Sequence, residues 1–389
     1  MRDQFLIHPD VVFLNHGSFG ACPLPVFEVY QAWQRELEAQ PVEFMGRRVD
    51  TLLDEARLAL GNYLHCHADD LVYIPNATVG MNMIARSIPL QAGDEILATD
   101  HEYGAVDLLW HFICEKTGAT YIRQPMPLPF TTPEAFIERL WSAVTPRTKV
   151  ISISHLTSPT ALIFPIGEII KRAREAGIYT VIDGAHAPGQ LNLNLTELDP
   201  DFYTGNCHKW LSAPKGAGFL YVRRKLHDMV DPLVISWGYQ PSNGKSLGGG
   251  LILSSATTRL VQQNQYQATR DVSAYLSVPA AIQFQAEHNW DDVRARCHSL
   301  TIETRKRVSE LTELPMISPE SWLGQMFTAS LPETIDPNQF KARLYDEYRI
   351  EAPIVVWNDK PYIRVSFQGY NTQDDADKLI EALSALLDS

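Results

Sequence analysis

Four stretches of the chain carry residue types that can do chemistry together. Val181-Ile182-Asp183-Gly184-Ala185-His186 delivers a carboxylate at the end of an apolar run, with a glycine where the backbone must turn. If that run is a strand of a parallel sheet, Asp183 stands at the carboxyl edge, where ligands bind. Gly205-Asn206-Cys207-His208-Lys209-Trp210 sets a lysine between an imidazole and an indole. Aromatic neighbours desolvate an amine, which favours the neutral form that condenses with a carbonyl to give an imine. Pro75-Asn76-Ala77-Thr78-Val79-Gly80 joins a strand end to a helix start. Free N–H groups and the helix dipole attract an anion to such a junction, and Thr78 adds a hydroxyl. Tyr362-Ile363-Arg364-Val365-Ser366 buries a permanent cation in an apolar strand, and a guanidinium takes a carboxylate through two parallel hydrogen bonds.

Each stretch alone has a structural reading: a loop cap, a surface lysine, a threonine helix cap, a buried salt bridge. Together they are the complement of one cofactor. Pyridoxal 5′-phosphate needs a lysine, an anion cradle, an acid that keeps its pyridine nitrogen protonated and an arginine for the substrate carboxylate. Other constellations fail. Asn243-Gly244-Lys245-Ser246 has the tail of a phosphate loop, but Tyr239 occupies the first glycine position. Gly216-Ala217-Gly218 has Tyr221 where a dinucleotide fingerprint needs its third glycine. His65-Cys66-His67 is followed by no second ligand pair at zinc spacing, and no G-x-S-x-G elbow exists. The expected metal content is none.

The elements that must position these residues alternate. Strand-like runs fall at 71–74, 95–98, 120–123, 149–154, 179–182, 201–204 and 218–222, with amphipathic stretches at 80–87, 105–116, 133–144 and 167–176 between several of them. That rhythm predicts an α/β fold with a mostly parallel sheet covered on both faces. After Val278 it changes to a long helical pattern, 278–311, then strands at 326–331, 354–357 and 362–367 and helices at 337–348 and 372–387. This predicts a smaller α+β domain. The segment before a helix at 25–39 is strand-poor and could pack with either unit.

Composition narrows the class. Of 389 residues, 46 are acidic and 33 basic, a formal charge of −13, and no basic stripe is present. A nucleic-acid partner is not expected. No run approaches about 18 uninterrupted apolar residues, so no membrane span is expected. Met1 to Pro9 lacks an apolar signal core. Five cysteines without a C-x-x-C pair fit reduced thiols in a cytoplasm.

Eight motifs extend the pattern over nearly the whole chain: Phe13 to Gly20, Asn76-Ala77-Thr78, Asp100-His101-Glu102-Tyr103-Gly104-Ala105, Ser158-Pro159-Thr160-Ala161, Asp183-Gly184-Ala185-His186, His208-Lys209-Trp210, Thr269-Arg270-Asp271 and Arg364-Val365-Ser366. In these the sequence resembles the fold-type I pyridoxal-phosphate enzymes of the class V aminotransferase superfamily, and within it the isopenicillin N epimerase-like branch. The resemblance implies an aspartate aminotransferase-like large domain at 21–277 with a mostly parallel seven-stranded sheet, and a small domain at 278–389 joined by segment 1–20. It implies Lys209 as the cofactor lysine and Asp183 as the pyridinium partner. His186 and His155 would contact the ring hydroxyl. His101, with Tyr103 as the alternative, would stack on the ring. Asn76, Ala77, Thr78, Asn206 and His208 would surround the phosphate. Thr269 would reach the phosphate of a neighbouring subunit in a homodimer with shared sites. Arg364 would bind the substrate carboxylate, and Asn15 would lie beside the substrate.

Two departures matter. Many relatives have glycine where this chain has Ala268. Cysteine desulfurases place a nucleophilic cysteine ahead of the substrate arginine, whereas 351–360 contains none, which disfavours persulfide chemistry. The expected activity is on the α-carbon of an amino acid or amino-acid-derived substrate, by way of an α-carbanion with Lys209 as general base. The expectation is an epimerase or racemase; the alternatives are a C–S lyase acting by β-elimination on a cysteine conjugate, and a transaminase. A non-enzymatic cofactor-binding scaffold would need neither Lys209 nor Arg364. A nicotinamide oxidoreductase on a similar sheet is the remaining rival.

Overall fold

A computed structural model describes residues 1–239 and 258–388; the Asn243–Ser246 stretch lies outside the described residues. Near the N-terminus, β1 (Val12–Phe13) precedes the seven strands of the main sheet. These are β2 (Leu71–Ile74), β3 (Glu95–Thr99), β4 (Thr120–Gln124), β5 (Thr148–Ser154), β6 (Tyr179–Gly184), β7 (Phe202–Asn206) and β8 (Gly218–Val222). Their order is β2-β8-β7-β6-β5-β3-β4. Only β8 runs against the others. The carboxyl ends of β2, β5, β6 and β7 therefore share one edge, which brings residues 76, 154, 183 and 206 together.

Every strand of the main sheet but the edge strand β4, which exposes Thr120 and Arg123, is largely buried because both faces are covered. All residues of β2, β3, β7 and β8 are buried. The helix Ile166–Glu175 buries Ile166, Ile169, Ile170 and Ala173, the i, i+3, i+4, i+7 stripe of an amphipathic helix. The helix Ala77–Ser87 lies tight on β7 because Gly80 has no side chain: a Cβ there would sit 2.3 Å from Thr204 Oγ1.

The C-terminal unit departs from the sequence expectation at one point. The stretch expected as a single helix over 278–311 is two helices, Val278–Glu287 and Trp290–Thr312. Asn289 between them has φ +46, the left-handed conformation that a short polar side chain tolerates. Apolar periodicity carries across such a break unchanged. Beyond lie β9 (Met326–Ser330), β10 (Ile350–Glu351), β11 (Ile354–Trp357) and β12 (Lys360–Ser366). β12 is the centre of an antiparallel three-stranded sheet, and Arg364 pairs across it with Thr328. Asn358 and Asp359 turn β11 into β12 with φ +48 and +61, the left-handed pair of a tight two-residue hairpin. β1 pairs in parallel with β10, and Asn15 bridges to Ser366, so the N-terminal segment joins this sheet. Among the described residues no helix is long and apolar enough to cross a membrane.

Candidate active site

A cavity of about 510 Å3 opens at the carboxyl edge of the main sheet. It is lined by Asn76, Ala77, Thr78, Asp183, His186, Asn206, His208 and Lys209, with Tyr103, Ser154, Ser158, Ser18 and Phe19 among the others. Thus residues named from β2, β6 and β7 meet in one place. Gly20 lets the N-terminal segment reach it: with φ +71, a Cβ there would lie 2.0 Å from the His208 carbonyl.

Lys209 Nζ lies 3.2 Å from His186 Nε2. Burial, with the Arg364 charge adding to it and Asp183 opposing, lowers the Lys209 amine to about 8. Burial raises the Asp183 carboxyl, against the hydrogen bond it accepts from Ala185 N–H at 2.9 Å. No cation lies within 4 Å of that carboxylate among the described residues.

The anion cradle is built at the start of helix Ala77–Ser87. Asn76 caps it, accepting from Val79 N–H at 3.1 Å. Asn206 accepts from Ala77 N–H at 2.8 Å. Asn206 and Ala77 thereby hold the helix end against β7. The Thr78 N–H has no acceptor among the described residues, and with the Thr78 hydroxyl it is left to the cavity. His208 donates from Nδ1 to the Ala217 carbonyl at 2.9 Å, and burial lowers it to about 4.

Arg364 decides between its two readings. Its Nη1 donates to Ser158 O at 2.7 Å and Ser158 Oγ at 3.0 Å, and its Nη2 to Ser18 Oγ at 2.9 Å. Its buried Nε has no partner, and no carboxylate neutralises it among the described residues. Burial lowers this guanidinium to about 10. Among the described residues a structural salt bridge to Arg364 is thus absent, and the buried charge is left uncompensated.

Four expected residues are placed elsewhere. His101 does not reach the cavity. Its ring is fully buried, with Nδ1 2.8 Å from Thr160 Oγ1 and Nε2 2.8 Å from the Met126 carbonyl. Phe130, Phe164 and Trp357 enclose it, Trp357 at 4.3 Å between ring centroids. Tyr103, the alternative, lines the cavity and is 47% exposed. His155 is likewise turned away. Ser154 and Leu156 line the cavity, and alternation along an extended chain points the residue between them to the other side, where His155 Nδ1 meets Tyr203 Oη at 2.9 Å. Asn15 acts one step back: Oδ1 accepts from Ser18 Oγ at 2.5 Å, and Nδ2 donates to Glu351. Thr269 is exposed, and Ala268 before it has φ +66. That conformation is the physical reason glycine suits the position.

Sequence reasoning missed four residues. Ser18 and Ser158 hold Arg364; both lie inside quoted motifs, but serine alone carries too little signal. Ser154 stands beside Asp183 on the neighbouring strand. Glu102 is buried and accepts from Ser154 N–H and Oγ and from Thr99 Oγ1; burial, with a smaller push from the Asp183 charge, raises it to about 7.

A lysine amine, a buried carboxylate and an N-terminal helix cradle around one cavity, with an uncompensated guanidinium behind its lining residues Ser18 and Ser158, fit pyridoxal 5′-phosphate. The comparisons agree. The family model for aminotransferase class-V matches residues 19–379. The chain is 34% identical to isopenicillin N epimerase of Streptomyces clavuligerus, over 99% of this chain and 97% of that one. It is 23% identical to hercynylcysteine sulfoxide lyase of Schizosaccharomyces pombe, over 96% and 94%. Its fold matches an apo cysteine desulfurase from Thermococcus onnurineus NA1 with a TM-score of 0.84 at 19% identity, over 100% of this chain and 97% of that chain.

Proposed function

We propose that this chain, which belongs to the aminotransferase class-V family, is a pyridoxal-phosphate-dependent epimerase or racemase of an amino acid or amino-acid-derived substrate. The observation that carries the reading is the buried Arg364, unpaired at Nε and without a counter-charge, in contact with Ser18 and Ser158 of the cavity that also holds Lys209 and Asp183. Bound there, pyridoxal phosphate supplies the electron sink that makes the substrate α-proton acidic. Asp183 holds a proton at the ring nitrogen. Thr78 and the helix end hold the phosphate, and Tyr103 offers a ring face. Arg364 orients the substrate carboxylate. Lys209, with its amine lowered toward neutrality, takes the α-proton at Nζ. Epimerisation then requires a proton delivered to the opposite face by a second donor, solvent water or another acid.

The similarity to the sulfoxide lyase favours a second reading, β-elimination of a C–S bond; a transaminase shares the same binding residues. Persulfide formation is disfavoured. The hairpin ahead of Arg364 is tight and has no cysteine, and Cys207 is fully buried, which raises its thiol. A homodimer is part of the proposal, supported by the exposed Thr269, which does not line this chain's own cavity. So are a cytoplasmic location and a division into a large unit, 21–277, and a small one, 278–389 with 1–20. The test is to incubate the holoenzyme in deuterated water with amino acids and cysteine S-conjugates. Deuterium-labelled product of inverted configuration supports the epimerase. Pyruvate selects the lyase, and an oxo acid with aminated cofactor selects the transaminase. Absence of inverted product, of pyruvate and of any other oxo acid from every substrate contradicts all three.

A further inference from the structure

Trp210 is fully buried directly after the lysine, and its indole Nε1 donates to His186 Nδ1 at 3.2 Å. An indole N–H can only donate. His186 Nδ1 must therefore carry a lone pair, and the single proton of the neutral ring must sit on Nε2. That nitrogen is the one 3.2 Å from Lys209 Nζ. An Nε2–H can donate only to an amine with a free lone pair. A protonated amine would need the opposite tautomer, which would turn an Nδ1–H against the indole N–H. We propose that Trp210 is a positioning residue that fixes the Nε2-protonated tautomer of His186, and that this tautomer holds the Lys209 amine neutral and aimed into the cavity. The proposal deepens the cofactor-lysine reading and rests on it.

The surroundings leave the tautomer as the discriminating contact. His186 is fully buried, and burial, Lys209, Arg364 and His16 all oppose a charged imidazolium. Around Lys209, Arg364 opposes the ammonium and Asp183 favours it. His16 on the N-terminal segment meets the Lys209 carbonyl, 3.0 Å from its Nε2, rather than the amine. His208 points its Nδ1 to Ala217, and Lys215 donates to the Gly20 carbonyl. Trp210 itself is held by packing against the His16 ring at 5.1 Å and by Gln285, which donates to its carbonyl at 2.9 Å.

Two measurements test the proposal on the full chain freed of cofactor, so they read the amine and the imidazole whether or not the enzyme turns over. The first is the 15N spectrum of histidine-labelled protein. His186 should show a protonated Nε2 and a bare Nδ1; the reverse pattern overturns the proposal without any variant. The second is the pH dependence of reductive methylation at Lys209, read by peptide mass. Trp210→Phe keeps the aromatic bulk and removes the donor. Its labelling rate below the titration midpoint should fall roughly ten-fold, a rise of about one pKa unit. In a His186→Phe background, Trp210→Phe should change nothing further. An equal fall in that background would show a packing role for Trp210 and contradict the proposal. Absence of cofactor attachment at Lys209 in the wild type would instead overturn the cofactor-lysine reading and leave the tautomer result intact.

Discussion

Replacing Arg364 with lysine separates charge from shape in the site. The guanidinium has Nη1 on Ser158 and Nη2 on Ser18, with Nε buried and unpaired. These acceptors are neutral, so they orient the group without balancing it. Lysine keeps the positive charge but loses the planar fork, reducing two directed contacts with a carboxylate to one. A hydrogen bond between charged partners contributes about 1.5–3 kcal/mol, so kcat/KM should fall roughly 10- to 150-fold. The assay compares each enzyme on an α-carboxylate substrate and on its α-amide. The wild type should discriminate strongly against the amide, and Arg364→Lys should narrow that gap by the same factor. Urea unfolding of both proteins reports stability separately. If discrimination is unchanged per folded molecule while the variant loses stability, Arg364 is structural and the reasoning fails.

Asp183→Asn should leave cofactor bound yet lower kcat by about 100-fold or more with little change in KM, because a neutral amide holds the ring-nitrogen proton poorly; near-normal turnover assigns the role elsewhere. Tyr103→Leu should weaken cofactor retention about two- to ten-fold, the range of an aromatic stacking contribution of about 0.5–1.5 kcal/mol, measured by equilibrium dialysis; no change would remove Tyr103 as the ring platform. The buried Lys209 amine makes stability depend on pH. With a folded-state value of about 8 against 10.5 unfolded, the cofactor-free chain binds fewer protons folded than unfolded between those limits. Lys209→Met should be more stable than wild type by about 3 kcal/mol below pH 8, and the gap should close as pH rises to 10.5. A pH-independent gap in chemical denaturation would show that burial does not shift this amine.

Much of the site was legible because chemistry and element ends coincide. Asp183 lies at the carboxyl end of β6, Lys209 and Thr78 follow β7 and β2, and parallel strands end on one edge, so strand recognition brings them together. The inner strands were found because strands buried on both faces read as short apolar, β-branched runs, and the part-exposed edge strand β4 by its Thr-Tyr-Ile start. What the sequence does not carry is the facing of residues in irregular segments. His101 and Tyr103 are two apart after β3, and only packing decides that the first enters an aromatic cluster while the second meets the cavity. His155 failed for the same reason, one residue out of phase with Ser154. The contacts of Arg364 join positions 18, 158 and 364, a separation at which local pattern says nothing. The break at Asn289 was hidden because amphipathic spacing continues through it.

Borohydride trapping tests most directly whether Lys209 carries pyridoxal phosphate. Purified holoenzyme should be reduced with borohydride, digested and mapped by mass spectrometry. The reduced cofactor is expected on the peptide containing Lys209, at one equivalent per chain. Attachment to a different lysine, or no attachment in protein shown to contain the cofactor, would contradict it.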